Sequence, residues 1–97
     1  MLQYFNTQDT ERFARELAQE LLTELGASIG KKEAKFAAKA EKVLIRADRK
    51  VQGFKASQKL NFYKRSKLAN AFLWTLKDGG CPDAYAKELT EWLTYRL

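Results

Sequence analysis

The segment from Lys31 to Val51 constrains the fold more than any other part of the sequence. Its basic residues are separated by steps of 4, 4, 3, 4 and 3, which places them on one stripe of an α-helix. The members of this stripe are Lys31, Lys35, Lys39, Lys42, Arg46 and Arg49. Apolar residues recur with the same period on a neighbouring face, at Phe36, Ala40, Val43, Leu44, Ala47 and Val51. The segment therefore predicts an amphipathic helix with one face for a core and one for a negatively charged partner.

Three other segments show the apolar period of a helix. In the first, Phe13 and three leucines lie at steps of four, and Gly26 provides a stop signal. Another covers about residues 58–77 and ends at the glycine pair that follows Asp78. The last begins near Pro82, because proline at the first helical position loses no hydrogen bond that the helix needs.

The sequence predicts one all-α domain that spans residues 1–97. Gly53 is expected to break the second helix, because glycine is unfavourable in a helix interior. No stretch alternates apolar and polar residues for long enough to predict a strand. The expected architecture is a small bundle of four helices with short loops, packed up-and-down or orthogonally. The helices are expected at about residues 8–25, 31–52, 58–77 and 82–95.

The positive charge is concentrated in the middle of the chain. The net charge is +6 overall, but it is −3 over residues 1–30, +10 over residues 31–67 and −1 over residues 68–97. This distribution favours a polyanion such as DNA or RNA as the partner. A lysine-rich helix face also keeps a protein in solution, and pairing with the acidic first helix would explain the basic stripe without any ligand.

The third predicted helix carries a second face with the same spacing. It consists of Lys59, Tyr63, Lys67, Asn70, Trp74 and Lys77. Aromatic side chains interleaved with lysines stack on bases while they neutralise phosphates. The predicted nucleic-acid-binding residues are Lys31, Lys35, Lys39, Lys42, Arg46, Arg49, Lys59, Tyr63, Lys67 and Trp74. For Tyr63 and Trp74 the alternative is packing against a neighbouring helix or a second subunit.

Base-specific recognition is not expected. Four of the six residues in the Lys31–Arg49 stripe are lysines, which act as mobile point charges rather than planar forks. The third and fourth predicted helices superficially resemble a helix-turn-helix, but the last one carries more acidic than basic side chains and would be repelled by phosphates. Any contact with nucleic acid is therefore expected to be largely independent of sequence and to use the second and third helices.

Catalysis is not expected. The chain has no histidine, which removes His-based metal sites and Ser-His or Cys-His nucleophile pairs. Glu16, Glu20 and Glu24 form an acidic row, for which a solvated helix face is the simpler interpretation. Cys81 lies where a helix N-terminus could lower its thiol pKa, but an inert thiol is favoured because no histidine accompanies it. We expect no catalytic residue, no metal site and no cofactor.

Two other functions fit the sequence. One is a protein–protein interaction module, either a homodimer or an adaptor for an acidic partner, because aromatic residues lie near both chain ends and small domains often complete their cores by oligomerising. The other is attachment to anionic lipid through the basic faces. Integral membrane association is not expected, since the longest apolar run is residues 71–74. The N-terminus has no secretory pattern, so a cytoplasmic location is expected.

Overall fold

Four α-helices make up most of the chain in a computed structural model that describes residues 8–26 and 34–97, without the side chains of residues 34–39. They are α1 (Gln8–Leu25), α2 (Ala34–Ser57), α3 (Phe62–Asp78) and α4 (Asp83–Arg96). No strand occurs in the described ranges. The prediction of an all-α bundle of four helices is confirmed, and α1 has the predicted bounds. The predicted start of the second helix, Lys31, lies outside the described residues.

The helices pack around a ring in the order α1, α3, α4, α2. The most extensive contact joins α1 to α3, followed by α3 with α4, α1 with α2 and, more lightly, α2 with α4. α1 and α2 are antiparallel, because Phe13 stacks on Phe54 towards one end of the pair and Glu24 meets Arg46 towards the other. In this order α2 and α3 are diagonal to one another, so their outward faces lie on different sides of the bundle.

The core is built from one apolar stripe of each helix, as the sequence period predicts. The largest apolar side chains that are almost completely buried are Leu21, Leu25, Val51, Leu68, Phe72, Leu76 and Leu93. Burying a side chain of this size stabilises the fold by about 1.5–3 kcal/mol. Burial of these stripes therefore fixes the rotation of each helix about its axis. That rotation in turn determines which side chains face solvent.

The prediction that Gly53 breaks the second helix is wrong, because α2 continues to Ser57. The next residue, Phe54, stacks on Phe13 of α1 with ring centroids 4.2 Å apart and planes 9° apart. That contact requires Phe54 to keep its helical position. An aromatic pair adds about 0.5–1.5 kcal/mol to the area that it buries, which offsets the cost of about 1 kcal/mol for glycine inside a helix.

α3 begins at Phe62, four residues later than predicted. The preceding residue, Asn61, is the N-cap, and its Oδ1 accepts a hydrogen bond from the backbone N–H of Lys64 at 2.7 Å. Asparagine is favoured at this position because it satisfies a donor that the first turn leaves unpaired. Lys59, predicted to lie on the third helix, therefore lies in the connection between α2 and α3.

The C-terminal end of α4 is attached to α2 through Arg96. Its Nε lies 3.4 Å from Oδ1 of Asp48, and its guanidinium carbon lies 4.5 Å from the centre of the Trp92 ring. Its carbonyl oxygen accepts a hydrogen bond from Nζ of Lys55 at 2.9 Å. These contacts hold the end of α4 beside the last turns of α2, where the connection to α3 begins.

Candidate nucleic-acid interface

A stripe of α3 faces directly away from the core. This α3 stripe consists of Tyr63, Lys67, Asn70, Trp74 and Lys77. At about 100° per residue, its centre lies about 180° around the helix from the buried residues Leu68, Phe72 and Leu76. The Trp74 side chain is 55% exposed and that of Tyr63 is 44% exposed. Neither aromatic therefore belongs to the buried core of this chain, and packing against a second subunit stays a prediction.

Each aromatic ring of the α3 stripe has a lysine ammonium beside it. Nζ of Lys67 lies 5.7 Å from the centre of the Tyr63 ring, and Nζ of Lys77 lies 5.0 Å from that of Trp74. Cation–π contacts of this kind contribute about 0.5–1 kcal/mol at exposed sites. They keep the two charges next to the rings, so the stripe presents positive charge and aromatic surface together.

A basic concavity lies at the N-terminal end of α3 and is called the turn pocket here. It has a volume of about 290 Å³ and is lined by Lys55, Gln58, Lys59, Leu60, Arg65 and Leu97. Three of these residues are cationic, and they come from α2, from the connection and from α3. Sequence reasoning did not single out Lys55, because the pocket forms only when the end of α4 packs beside the connection. The pocket extends the positive surface beyond the stripe.

Carboxylates are missing from the segment that builds this surface. Between Asp48 and Asp78 the sequence has eight basic residues and no acidic residue. In the described part of the chain, no salt bridge involves Lys59, Lys67 or Lys77. The charge of the α3 stripe and the turn pocket therefore remains available to an anion from outside the protein.

The stripe predicted on the second helix is described only in part. Lys31 lies outside the described residues, and the side chains of Lys35 and Lys39 lie outside them as well. The remaining members, called the α2 stripe here, are exposed: Lys42, Arg46 and Arg49.

The acidic row of α1 pairs with basic residues of α2. Oε2 of Glu24 lies 3.4 Å from Nη2 of Arg46, and Glu20 forms an ion pair with Lys50. For Arg46, the alternative that needs no ligand is therefore confirmed, because this member of the basic stripe pairs with the acidic first helix. Among the described residues, Lys42 and Arg49 take part in no salt bridge.

The structure does not bring the α2 stripe and the α3 stripe together. α2 and α3 are diagonal in the bundle, and each packs instead on α1 and α4. Because the α3 stripe faces away from the core, the α2 stripe lies on another side of the molecule. The sequence could not show this, since helical periodicity gives the direction of a face relative to its own helix only.

The buried thiol of Cys81 is not activated by the start of α4. Burial raises its pKa above the ordinary value of 9.0, and the negative charge of Asp83 raises it further. The side chain is only 5% exposed, so the thiolate is disfavoured. Among the described residues, no group of three or more Cys, Asp or Glu side chains lies close enough together to hold a metal ion.

An apolar groove lies between α3 and α4, beside the α3 stripe. It has a volume of about 580 Å³ and is lined by Phe62, Arg65, Ser66, Ala69, Asn70, Leu73, Thr90, Thr94 and Leu97. Phe62 at its end is 84% exposed, which makes it one of the two most exposed large apolar side chains of the described residues, with Tyr95. Phe62 was not singled out as a binding residue from the sequence, whereas Tyr95 is one of the aromatic residues near the chain ends that favoured a protein–protein interaction module.

No protein-family model matches the sequence, and no curated protein or solved structure matches it either. In the described ranges, none of the helices has a stretch that is long and apolar enough to cross a membrane. The function of this chain is therefore inferred from the charge, exposure and spacing of its own residues.

Proposed function

We propose that the protein binds nucleic acid without sequence specificity, through the α3 stripe and the turn pocket. One observation carries the proposal: Tyr63 and Trp74 are exposed on the side of α3 opposite the core, each beside a lysine. Exposed Tyr and Trp side chains are enriched at binding surfaces, and the lysines beside them favour a partner with negative charge.

The chemistry of the surface favours a phosphate backbone. Lysines are mobile point charges that follow phosphates without demanding one geometry. The turn pocket adds Lys59 and Arg65 at one end of the stripe, and Lys77 lies near the other end. Positive charge therefore lies at both ends of the α3 stripe, with about 15 Å of helix between Lys67 and Lys77, so separate phosphates of one backbone can contact each end.

The same surface is poorly suited to reading base sequence. Base-edge recognition uses planar, bidentate groups such as Arg, Asn and Gln in a groove. The α3 stripe offers only Asn70 of this kind, and the turn pocket adds Gln58 and Arg65 at one end. α4, the helix that follows, carries Asp83, Glu88 and Glu91, which repel phosphates. Affinity should therefore depend little on base order.

The α2 stripe has a lesser part in this proposal. It lies on another side of the bundle, and Arg46 is already paired with Glu24. Lys42 and Arg49 would contact only a strand that passes around the molecule or a second strand. We assign the main contact to α3.

Fluorescence anisotropy with a labelled oligonucleotide tests the proposal. The double variant Lys67→Glu with Lys77→Glu reverses two charges of the α3 stripe, and the matched control Lys42→Glu with Arg49→Glu reverses two exposed charges of α2. We expect the α3 variant to weaken binding at least tenfold more than the control, since both variants change the net charge equally. Equal losses would contradict the assignment to α3, and no binding by the unaltered protein at low salt would contradict the proposed function.

A second candidate function is association with a second copy of this chain. It is favoured by the exposure of Phe62, 84%, beside the α3–α4 groove. Aromatic residues are enriched at protein interfaces. Light scattering over a range of protein concentrations separates the candidates: a dimer that Phe62→Ser dissociates would support association, whereas a monomer at all concentrations would contradict it.

A further inference from the structure

We infer that the α3 surface takes a single strand rather than a duplex, with one base stacked on Tyr63 and a later base stacked on Trp74. This inference rests on the proposed function and specifies its ligand. Single-strand binders combine a positive track for the backbone with aromatic platforms for successive bases. The α3 stripe has both parts on the side of the helix opposite the core, with the two aromatic rings exposed and the two lysines half-buried.

The accessibility of the two rings distinguishes a single strand from a duplex. In a duplex each base face is covered by the next base, and the strands present phosphates, sugars and base edges to a protein surface. An exposed Tyr or Trp ring that meets a duplex would find no base face to stack on, so it would add little to the binding free energy. An unpaired strand can turn its base faces outward, and every base has a π-face that a Trp or Tyr ring can cover. Tyr63 is 44% exposed and Trp74 is 55% exposed, each with a lysine ammonium over its ring, so a base that stacks there shares the ring with that lysine or displaces it.

The two aromatic–lysine pairs repeat in the same direction along α3. Lys67 follows Tyr63 by one helical turn, and Lys77 follows Trp74 by about one turn. A strand is itself a directional repeat of base and phosphate. The two pairs can therefore hold two equivalent units of one strand, with Asn70 between them.

The spacing of the pairs sets the length of a stacked strand that reaches both rings. Tyr63 and Trp74 are eleven residues apart, which is about 16 Å along a helix axis at about 1.5 Å per residue. Bases stacked as in a duplex strand advance about 3.4 Å each, so a stacked run needs about five steps to span the two rings. A dinucleotide can reach one ring only, whereas an oligonucleotide of about six nucleotides or more can reach both.

Oligothymidylates of increasing length test the inference, with a duplex of mixed sequence measured in parallel. Anisotropy gives the affinity, and the emission of Trp74 reports stacking when the second tryptophan is removed by Trp92→Phe. Trp74→Ala removes one platform without changing charge, and Tyr95→Ala is the matched control, because Tyr95 is an aromatic that is 87% exposed on α4. Circular dichroism of each variant checks that the helices are retained.

We expect Trp74→Ala to weaken single-strand binding by about 5- to 150-fold, the range for loss of one base–aromatic stack, and to leave duplex binding unchanged. Tyr95→Ala should change neither. Trp74 emission should fall on binding, and affinity should rise steeply between a dinucleotide and about six nucleotides. Binding of single strand and duplex with equal affinity, unaffected by Trp74→Ala, would overturn this inference while leaving the proposed function intact. No binding of either ligand would overturn both.

Discussion

Phe13 of α1 and Phe54 of α2 stack face to face, with ring centroids 4.2 Å apart and planes 9° apart. Phe54 directly follows Gly53, where the sequence alone predicts a break. The stacked pair and the helix are therefore coupled: α2 must stay helical through Gly53 to place the ring against α1. Continued helix in turn carries Lys55 to the turn pocket.

Gly53→Ala should stabilise the protein. Gly53 lies inside α2, and a Cβ added there would meet no atom within 4 Å. Alanine in a compatible helical position reduces the entropy of the unfolded chain and stabilises by about 0.4–1 kcal/mol. Urea unfolding followed by circular dichroism measures the change. The matched control is Gly80→Ala, which should destabilise, because Gly80 has a φ of 90° that side chains disfavour. A lower unfolding midpoint for Gly53→Ala would contradict the account of α2.

Phe54→Ala should destabilise the protein and shorten α2. The ring is only half-buried, so we expect a loss of about 2 kcal/mol, less than the 3–5 kcal/mol for a fully buried phenylalanine. Far-ultraviolet circular dichroism should show less helix, because the aromatic stack no longer offsets the free-energy cost of having Gly53 inside the helix. The control Phe62→Ala removes a ring that is 84% exposed and should change stability by less than about 0.5 kcal/mol. Equal effects of the two substitutions would contradict the role of the stacked pair.

Binding to a single strand should weaken with salt to an extent set by α3. If the α3 stripe and the turn pocket neutralise about four phosphates, log K should fall by about 3 for each tenfold rise in salt, at about 0.7 per phosphate. A titration at several salt concentrations gives this slope. Replacing both Lys67 and Lys77 with glutamine should reduce its magnitude by about 1.4, and replacing both Lys42 and Arg49 should leave it unchanged. If the glutamine variant of Lys67 and Lys77 kept the original salt slope, the phosphate contacts would lie outside the α3 stripe.

Stability should fall at alkaline pH in part because of Cys81. Its pKa is raised by burial and then by Asp83, so the folded protein holds the thiol proton more tightly than the unfolded chain does. This contribution is present in full below the unfolded pKa of 9.0 and is lost as pH rises through the folded pKa. Urea unfolding at a series of pH values should show a smaller alkaline loss for Cys81→Ala than for the unaltered protein. An identical loss in both proteins would contradict the prediction.

The sequence by itself determined the number of helices and the residues on each of their faces. Apolar residues at steps of four, as in Leu17, Leu21 and Leu25, are a local pattern that indicates one face of a helix. The same pattern placed Tyr63 and Trp74 on one line of α3 with two lysines. These properties depend on the geometry of a single helix, which the chain carries in its own spacing.

Only the tertiary structure decided how the helices combine. It made α2 and α3 diagonal, so that their basic faces lie on different sides, and it paired Arg46 with Glu24. It also left Trp74 exposed and carried α2 through Gly53 to meet Phe13. Each of these outcomes depends on which side chains from distant segments fill a shared core, and that is a property of packing between helices rather than of any one segment.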